Sequence, residues 1–149
     1  YNDFVGNSVP QVDQKKAFKL YTEFVSAIDK RLISSALSPA FGGLGATFVK
    51  KAIAGQFGME INLSKVARSK DLDREDYLLF SESQSRFVVT VDPKKKKEFE
   101  KCFKGSVFAE VGKVVDNGKF VIKGFDGGEV VNTDVRKLEE CYKKTFKDY

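Results

Sequence analysis

Two stretches of this chain hold residues whose types and spacing could do chemistry. The first is SALSPAFGGLG, residues 35–45, where Gly42 and Gly43 lead into an amphipathic run. The first N–H groups of a helix have no partner within it, and the dipole there is positive. A start exposed by small residues can therefore hold an anion. Lys50 and Arg86 are candidate cations to assist it. The second stretch is SESQSR, residues 81–86, which gathers Ser81, Glu82, Ser83, Gln84 and Arg86 just ahead of an apolar run. Loops before strands carry binding groups, and the same residue types also build turns and caps. Spacing leaves both readings open. The glycine turn is no P-loop, because no Gly-Lys-Ser/Thr follows, and it lacks the spacing of a dinucleotide fingerprint. Its structural reading is that small residues let a helix start close to a sheet.

Two charged clusters carry less. Asp71, Asp73, Glu75 and Asp76 could hold Mg²⁺ through oxygens, yet they fit a capped, dipole-matched helix start as well. The run Lys94, Lys95, Lys96, Lys97 could grip phosphate, but Glu98 and Glu100 follow it as on a solvated helix face. The aromatics fall at core spacing rather than between basic residues, which argues against nucleic acid. The chain has no histidine. That excludes Ser-His-Asp and Cys-His nucleophiles, a histidine base and any histidine-held metal. Reaction chemistry would fall to carboxylates, lysines, backbone amides or another chain. Cys102 and Cys141 are too few for a disulfide framework or a four-ligand zinc site, and read as buried free thiols of a reducing cytosol.

The elements that must position these groups follow from periodicity. Asp13 is set to cap a helix whose stripe is Ala17, Phe18, Leu20, Tyr21, Phe24, Val25, Ile28 and Leu32, laid against one flat apolar surface. A short strand is expected over 33–37. A second helix starts near Gly43, with Leu44, Phe48, Val49, Ala52 and Ile53 inward, Lys50 and Lys51 outward, and Gly55 as its C-cap. Met59, Ile61 and Leu63 alternate as in a half-buried strand. Asp73 could cap a short helix ending near Ser81. Residues 86–91, RFVVTV, read as the clearest strand, and Asp92-Pro93 opens a helix carrying Phe99, Cys102 and Phe103. A strand over 107–114, the turn Asp116-Asn117-Gly118 and a return strand over 119–123 read as a hairpin. Asp126-Gly127-Gly128 turns into an edge strand at Val130 and Val131. Thr133 could cap a last helix with Val135, Leu138, Tyr142 and Phe146 on one stripe.

The 149 residues are the size of one domain, read as a leading loop or linker over 1–12 and a single α+β domain over 13–149. The chain is 42% hydrophobic and 32% charged, an ordinary globular balance. No apolar run reaches transmembrane length and no secretory leader is apparent. The first residue is Tyr1, as expected of a fragment or a processed chain. A formal charge of +5 is compatible with an anionic partner, but the lysines are dispersed among acids in the manner of a solubilising surface.

Several segments together resemble the C-terminal domain of phosphoribosylformylglycinamidine synthase, the large subunit. They are GNSVPQVD (6–13), SALSPAFGGLGATFVKKAIAGQFGMEINLSKV (35–66), LLFSESQSRFVVTVDP (78–93) and the closing residues 132–146. The resemblance implies an α+β fold, a mixed β-sheet covered by α-helices in three layers. It implies ATP-dependent carbon–nitrogen ligation: formylglycinamide ribonucleotide and glutamine-derived ammonia give the amidine in purine biosynthesis, with ATP and Mg²⁺ serving the full enzyme. The implied partners are an N-terminal nucleotide-binding domain of the same subunit, a glutaminase subunit and a small bridging subunit, all cytoplasmic. The ligand-binding residues it suggests are Gly42, Gly43, Ser81, Glu82, Ser83, Gln84 and Arg86. One departure matters. The family commonly carries Ser-Ala/Val-His-Asp-x-Ser-Asp/Glu before the two glycines. Here Leu37 stands for the histidine, Ser38 for the aspartate, Ala40 for the serine and Phe41 for the acid. That fits a degenerate copy with a structural or ligand-shaping role, inactive on its own, with no catalytic residues and no metal site. The rival readings are a nucleotide- or phosphate-binding module without catalysis and a basic nucleic-acid-binding domain.

Overall fold

The computed structural model describes residues 11–144. Most of the leading loop, the start of GNSVPQVD, and Phe146 lie outside the described residues. Helix α1 spans Gln14–Asp29, and Asp13 caps it, its Oδ1 accepting the Lys16 N–H at 3.1 Å. Strand β1 (Ser35–Leu37) and helix α2 (Gly43–Gly55) follow, then β2 (Gly58–Asn62), a 3₁₀ turn at Leu63–Lys65 and α3 (Glu75–Phe80). Strand β3 is Val88–Thr90. Asp92 caps a 3₁₀ turn, Pro93–Lys95, that runs into α4 (Lys96–Cys102). Strands β4 (Gly112–Val115), β5 (Lys119–Lys123) and β6 (Glu129–Asp134) lead to α5 (Val135–Lys144).

The sheet is mixed and helix-covered. Its four strands run in the order β4-β2-β5-β6, with β2 parallel to β5 and the other pairs antiparallel; β1 and β3 form a separate antiparallel pair. Alternation decides the faces. Met59, Ile61, Phe120 and Ile122 point into the main core, where Leu44, Phe48 and Ala52 of α2, Leu78 and Leu79 of α3 and Val135 of α5 meet them. The intervening residues Glu60 and Lys113 pair across the other face at 2.9 Å. Helix α2 touches both sheets, because Lys51 on its far side reaches Ser35 of β1.

The expected hairpin does not form. Strands β4 and β5 lie on either side of β2, so the Asp116-Asn117-Gly118 turn carries the chain across the end of β2 instead of folding it back on itself. Gly58 makes this crossing possible. A Cβ there would lie 2.2 Å from the Lys119 carbonyl oxygen and 2.7 Å from its nitrogen. The turn signal was local, whereas strand pairing was decided by which apolar strand could take the central position. Met59 and Ile61 are buried, while most of β4 is exposed.

Other expectations shift for local reasons. The strand over 86–91 shrinks to β3, because Ser85 takes a left-handed φ of 59° and Arg86 ties back to the preceding loop. The strand over 107–114 begins only at Gly112, and Val107 and Phe108 stand exposed. Arg74, not Asp73, is the N-cap of α3 and makes no side-chain cap bond. Thr133 belongs to β6, and Asp134 caps α5 by accepting the Lys137 N–H at 3.0 Å. Gly55 is the last residue of α2, and Gln56 takes the left-handed position at φ 55°. The α1 stripe is wider than one contact surface. Leu20 and Phe24 pack near Leu32 and Phe103 in a second small core, whereas Phe18, Tyr21, Val25 and Ile28 are exposed. Both cysteines are free, but Cys102 is only half-buried and Cys141 is exposed, because α5 leaves the core after Leu138. No helix among the described residues is long and apolar enough to cross a membrane.

Gly58→Ala is expected to lower unfolding free energy by about 3 kcal/mol, since the crossing backbone must move. Gly118→Ala, at φ +67° with nothing within 4 Å, meets only backbone strain and should cost about 1 kcal/mol. Urea unfolding of the two variants checks the ranking.

Candidate functional site

The structure brings the two candidate stretches together. Helix α3 ends against the start of α2, so the loop over 81–86 lies on the glycine turn. Gly43 sits at φ +60°, and a Cβ there would be 2.6 Å from both the Leu79 and Ser81 carbonyl oxygens. A side chain is excluded twice, by conformation and by space. The close neighbour that requires the glycine is the end of α3, not a sheet.

The anion at this helix start belongs to the chain itself. Glu82 Oε1 accepts the Gly42 N–H at 2.9 Å. The Gly43 N–H donates to the Ala40 carbonyl at 2.8 Å. A carboxylate at this position satisfies a free amide and complements the positive end of the dipole, the service a bound phosphate would perform. Arg86 is turned inward as a strut. Its Nε donates to the Ser83 carbonyl at 3.1 Å and its Nη2 to the Ser81 carbonyl. Burial lowers its pKa from the ordinary arginine value. The Tyr21 and Ser85 hydroxyls share a hydrogen bond at 2.9 Å, and Ser38 Oγ donates to the Arg86 carbonyl at 3.2 Å. The loop is thus pinned from α1, from the β1 side and from within.

Of the residues expected to meet a ligand, Gly42, Gly43, Ser81, Glu82 and Arg86 converge, but their polar groups largely bind one another. The side chains of Ser83 and Gln84 are exposed and make none of these bonds. Lys50 is half-buried on α2 beyond the turn. Where the family pattern has an acid, Phe41 stands 85% exposed, and Phe80, against Gly45, is 60% exposed. The acids expected as an alternative metal site do not converge either. Arg74 pairs with Asp76 at 2.6 Å, and Glu75 Oε1 accepts the Phe125 N–H at 2.5 Å. Among the described residues no three His, Cys, Asp or Glu side chains come together as metal ligands. The described acids therefore do not make a donor set for Mg²⁺.

Sequence reasoning missed Tyr21 and Ser38 as loop anchors, and it missed Lys51. Lys51 was expected on the outer face of α2, yet it is 9% exposed. A signal existed, because it lies seven residues after Leu44, two helical turns along the apolar stripe. Its ammonium donates to Ser35 Oγ at 2.5 Å, and burial lowers its pKa from the usual 10.5.

A mixed sheet with helices packed on its apolar face, and a double-glycine helix start under a polar loop, define an α+β domain. The chain belongs to the family described as AIR synthase related protein, C-terminal domain, whose model matches residues 2–124. It is 34% identical over 139 residues to the phosphoribosylformylglycinamidine synthase subunit PurL of Caldanaerobacter subterraneus, and 32% identical over 139 residues to that of Methanocaldococcus jannaschii. Each match covers 93% of this chain and 18% of the relative, so the chain spans under a fifth of their length. T. maritima PurL shares the fold in three solved forms. Complexed with FGAR it matches with TM-score 0.78 and 19% identity, over 92% of this chain and 23% of that one. Complexed with ATP it gives 0.71 and 20%, over 80% and 21%. As PurLQS it gives 0.76 and 22%, over 88% and 23%.

Glu82→Ala is expected to destabilise the chain by about 1 kcal/mol, with hydrogen exchange quickening at Gly42. Glu82→Gln, which keeps an acceptor, should lose less. Lys51 adds a pH signature. Its folded pKa is lowered, so between that value and 10.5 the unfolded chain binds more protons and stability rises with pH. Lys51→Met should abolish this increment, read as the difference between the two proteins' Tm–pH curves from pH 7 to 10.5.

Proposed function

We propose that this chain serves as the C-terminal domain of a phosphoribosylformylglycinamidine synthase large subunit. In this role it shapes and closes a ligase site without supplying reacting groups. The observation that carries the reading is the Glu82 carboxylate on the Gly42 amide, at a turn where Leu37, Ala40 and Phe41 replace polar groups. Similarity to PurL subunits over 93% of the chain supports the assignment to this subunit. The full subunit would couple ATP cleavage to the joining of formylglycinamide ribonucleotide and glutamine-derived ammonia. An N-terminal domain would carry most of the nucleotide-binding groups, and a glutaminase and a small bridging subunit would complete the cytoplasmic assembly. The PurL forms complexed with FGAR and ATP, and the PurLQS form, support these substrates and partners.

Within such a subunit, exposed Phe41 and Phe80 suit an interdomain contact, since aromatic side chains bury large area at little entropic cost. Ser83 and Gln84 have the free side chains for a polar ligand contact from this domain. A stand-alone phosphate module is the weaker reading, because a phosphate at Gly42 must first displace Glu82.

The test is reconstitution. The rest of the subunit is assayed for ATP- and ammonia-dependent amidine formation with and without this chain. Activity is expected only with both parts, and no gain over the rest alone overturns the proposal. Phe41→Ser should weaken association of the two parts about tenfold, with the Tm of this chain unchanged.

A further inference from the structure

A cleft of about 340 Å³ lies between the free edges of the two sheets. Val88, Val89 and Thr90 of β3 line one side and Gly112, Lys113 and Val114 of β4 the other. Phe48 of α2 with Met59 and Ile61 of β2 form an apolar floor, and Phe99 and Phe108 also line it. The strand edges leave backbone donors and acceptors along both walls.

Two of the three lysines that line this cleft are paired with carboxylates. Lys96 meets Glu110 at 2.5 Å and Glu100 at 3.9 Å, and Lys113 meets Glu60 at 2.9 Å. Lys51 has no carboxylate within ion-pair distance among the described residues. One of its three donors is engaged with Ser35 Oγ, which is itself 2.6 Å from Thr90 Oγ1 on the cleft wall. The residue is 9% exposed. A buried ammonium is costly to desolvate, and an opposite charge beside it offsets that cost. A single unmatched cation beside an apolar cavity is complementary to one negative charge on an apolar body. A phosphate dianion would call for more donors than this wall offers, and the cleft contains no arginine fork.

We propose that the cleft between β3 and β4 binds a small monocarboxylate with an aliphatic or aromatic body, its carboxylate paired with Lys51. This site is separate from the glycine turn and does not rest on the reading above. Lys51 lies in the second half of α2, eight residues beyond Gly43. Its occupant is a small molecule because a volume of about 340 Å³ lies in the range of small-ligand sites.

The probes are hexanoate and 1-hexanol, titrated into the chain and followed by amide and Lys51 ε-methylene NMR signals. Hexanoate should shift the amides of Val88, Val89, Gly112 and Val114 and bind at least roughly tenfold tighter than hexanol, the value of one charge-assisted contact. Lys51→Met should retain hexanol binding and bring the ratio to about one. Should that variant fail to fold, the wild-type Lys51 signal decides: its titration midpoint should rise when hexanoate is bound. Equal affinity for the two probes, shifts confined to other surfaces, or a Lys51 midpoint unmoved by saturating hexanoate would each overturn the proposal.

Discussion

The seating of the end of α3 on the start of α2 is the contact on which the rest of the structure depends. Two carbonyl oxygens lie within 2.6 Å of where a Gly43 side chain would begin, so the approach exists only because that side chain is missing. Once it is made, Leu78 and Leu79 enter the main core beside Leu44 and Phe48, and the following loop is delivered to the helix start. Glu82 then meets the Gly42 amide, and Arg86 braces the loop from inside. A surface helix end and a polar loop become one rigid unit. The arrangement that a phosphate could have held together is held by the chain's own carboxylate.

The same kind of constraint recurs at the sheet. Gly58 lets the link between β4 and β5 pass across the end of β2, and this crossing puts the buried strand β2 at the centre. Without it the turn after β4 would favour a simple hairpin, and Met59 and Ile61 would lose their place opposite α2. Backbone proximity at two glycines therefore governs both the helical layer and the strand order. The exposed apolar residues are distributed differently. Phe41 and Phe80 stand at the glycine turn, while Phe18, Val25 and Ile28 run along α1. These faces lack a cover within the described residues, in keeping with a chain that matches under a fifth of its relatives' length.

Much of the fold was legible in residue order. Asp13 and Asp92 cap their helical segments as their positions suggest, and the alternation around Ile61 gave a strand with the expected faces. The glycine turn and the SESQSR loop were both visible as functional candidates. What spacing could not reveal was that they face each other, since 40 residues separate Gly42 from Glu82. Nor could it tell whether Glu82 and Arg86 were aimed outward at a ligand or inward at the backbone. Lys51 shows the limit from the other side. Its charge suggested solvent and its heptad spacing suggested the core, and Ser35 on a neighbouring strand resolved the conflict by offering it an acceptor.

The sequence by itself determined most of the helices and strands, the mixed helix-and-strand class and the family, because capping, periodicity and local motifs act over a few residues. Tertiary structure alone decided the strand order, the self-occupied helix start and the unmatched buried cation. Each of these is an encounter between segments distant in the chain. Its outcome is set by whether a backbone can pass, an amide is already satisfied or a charge finds its opposite. Those conditions exist only once the elements are packed.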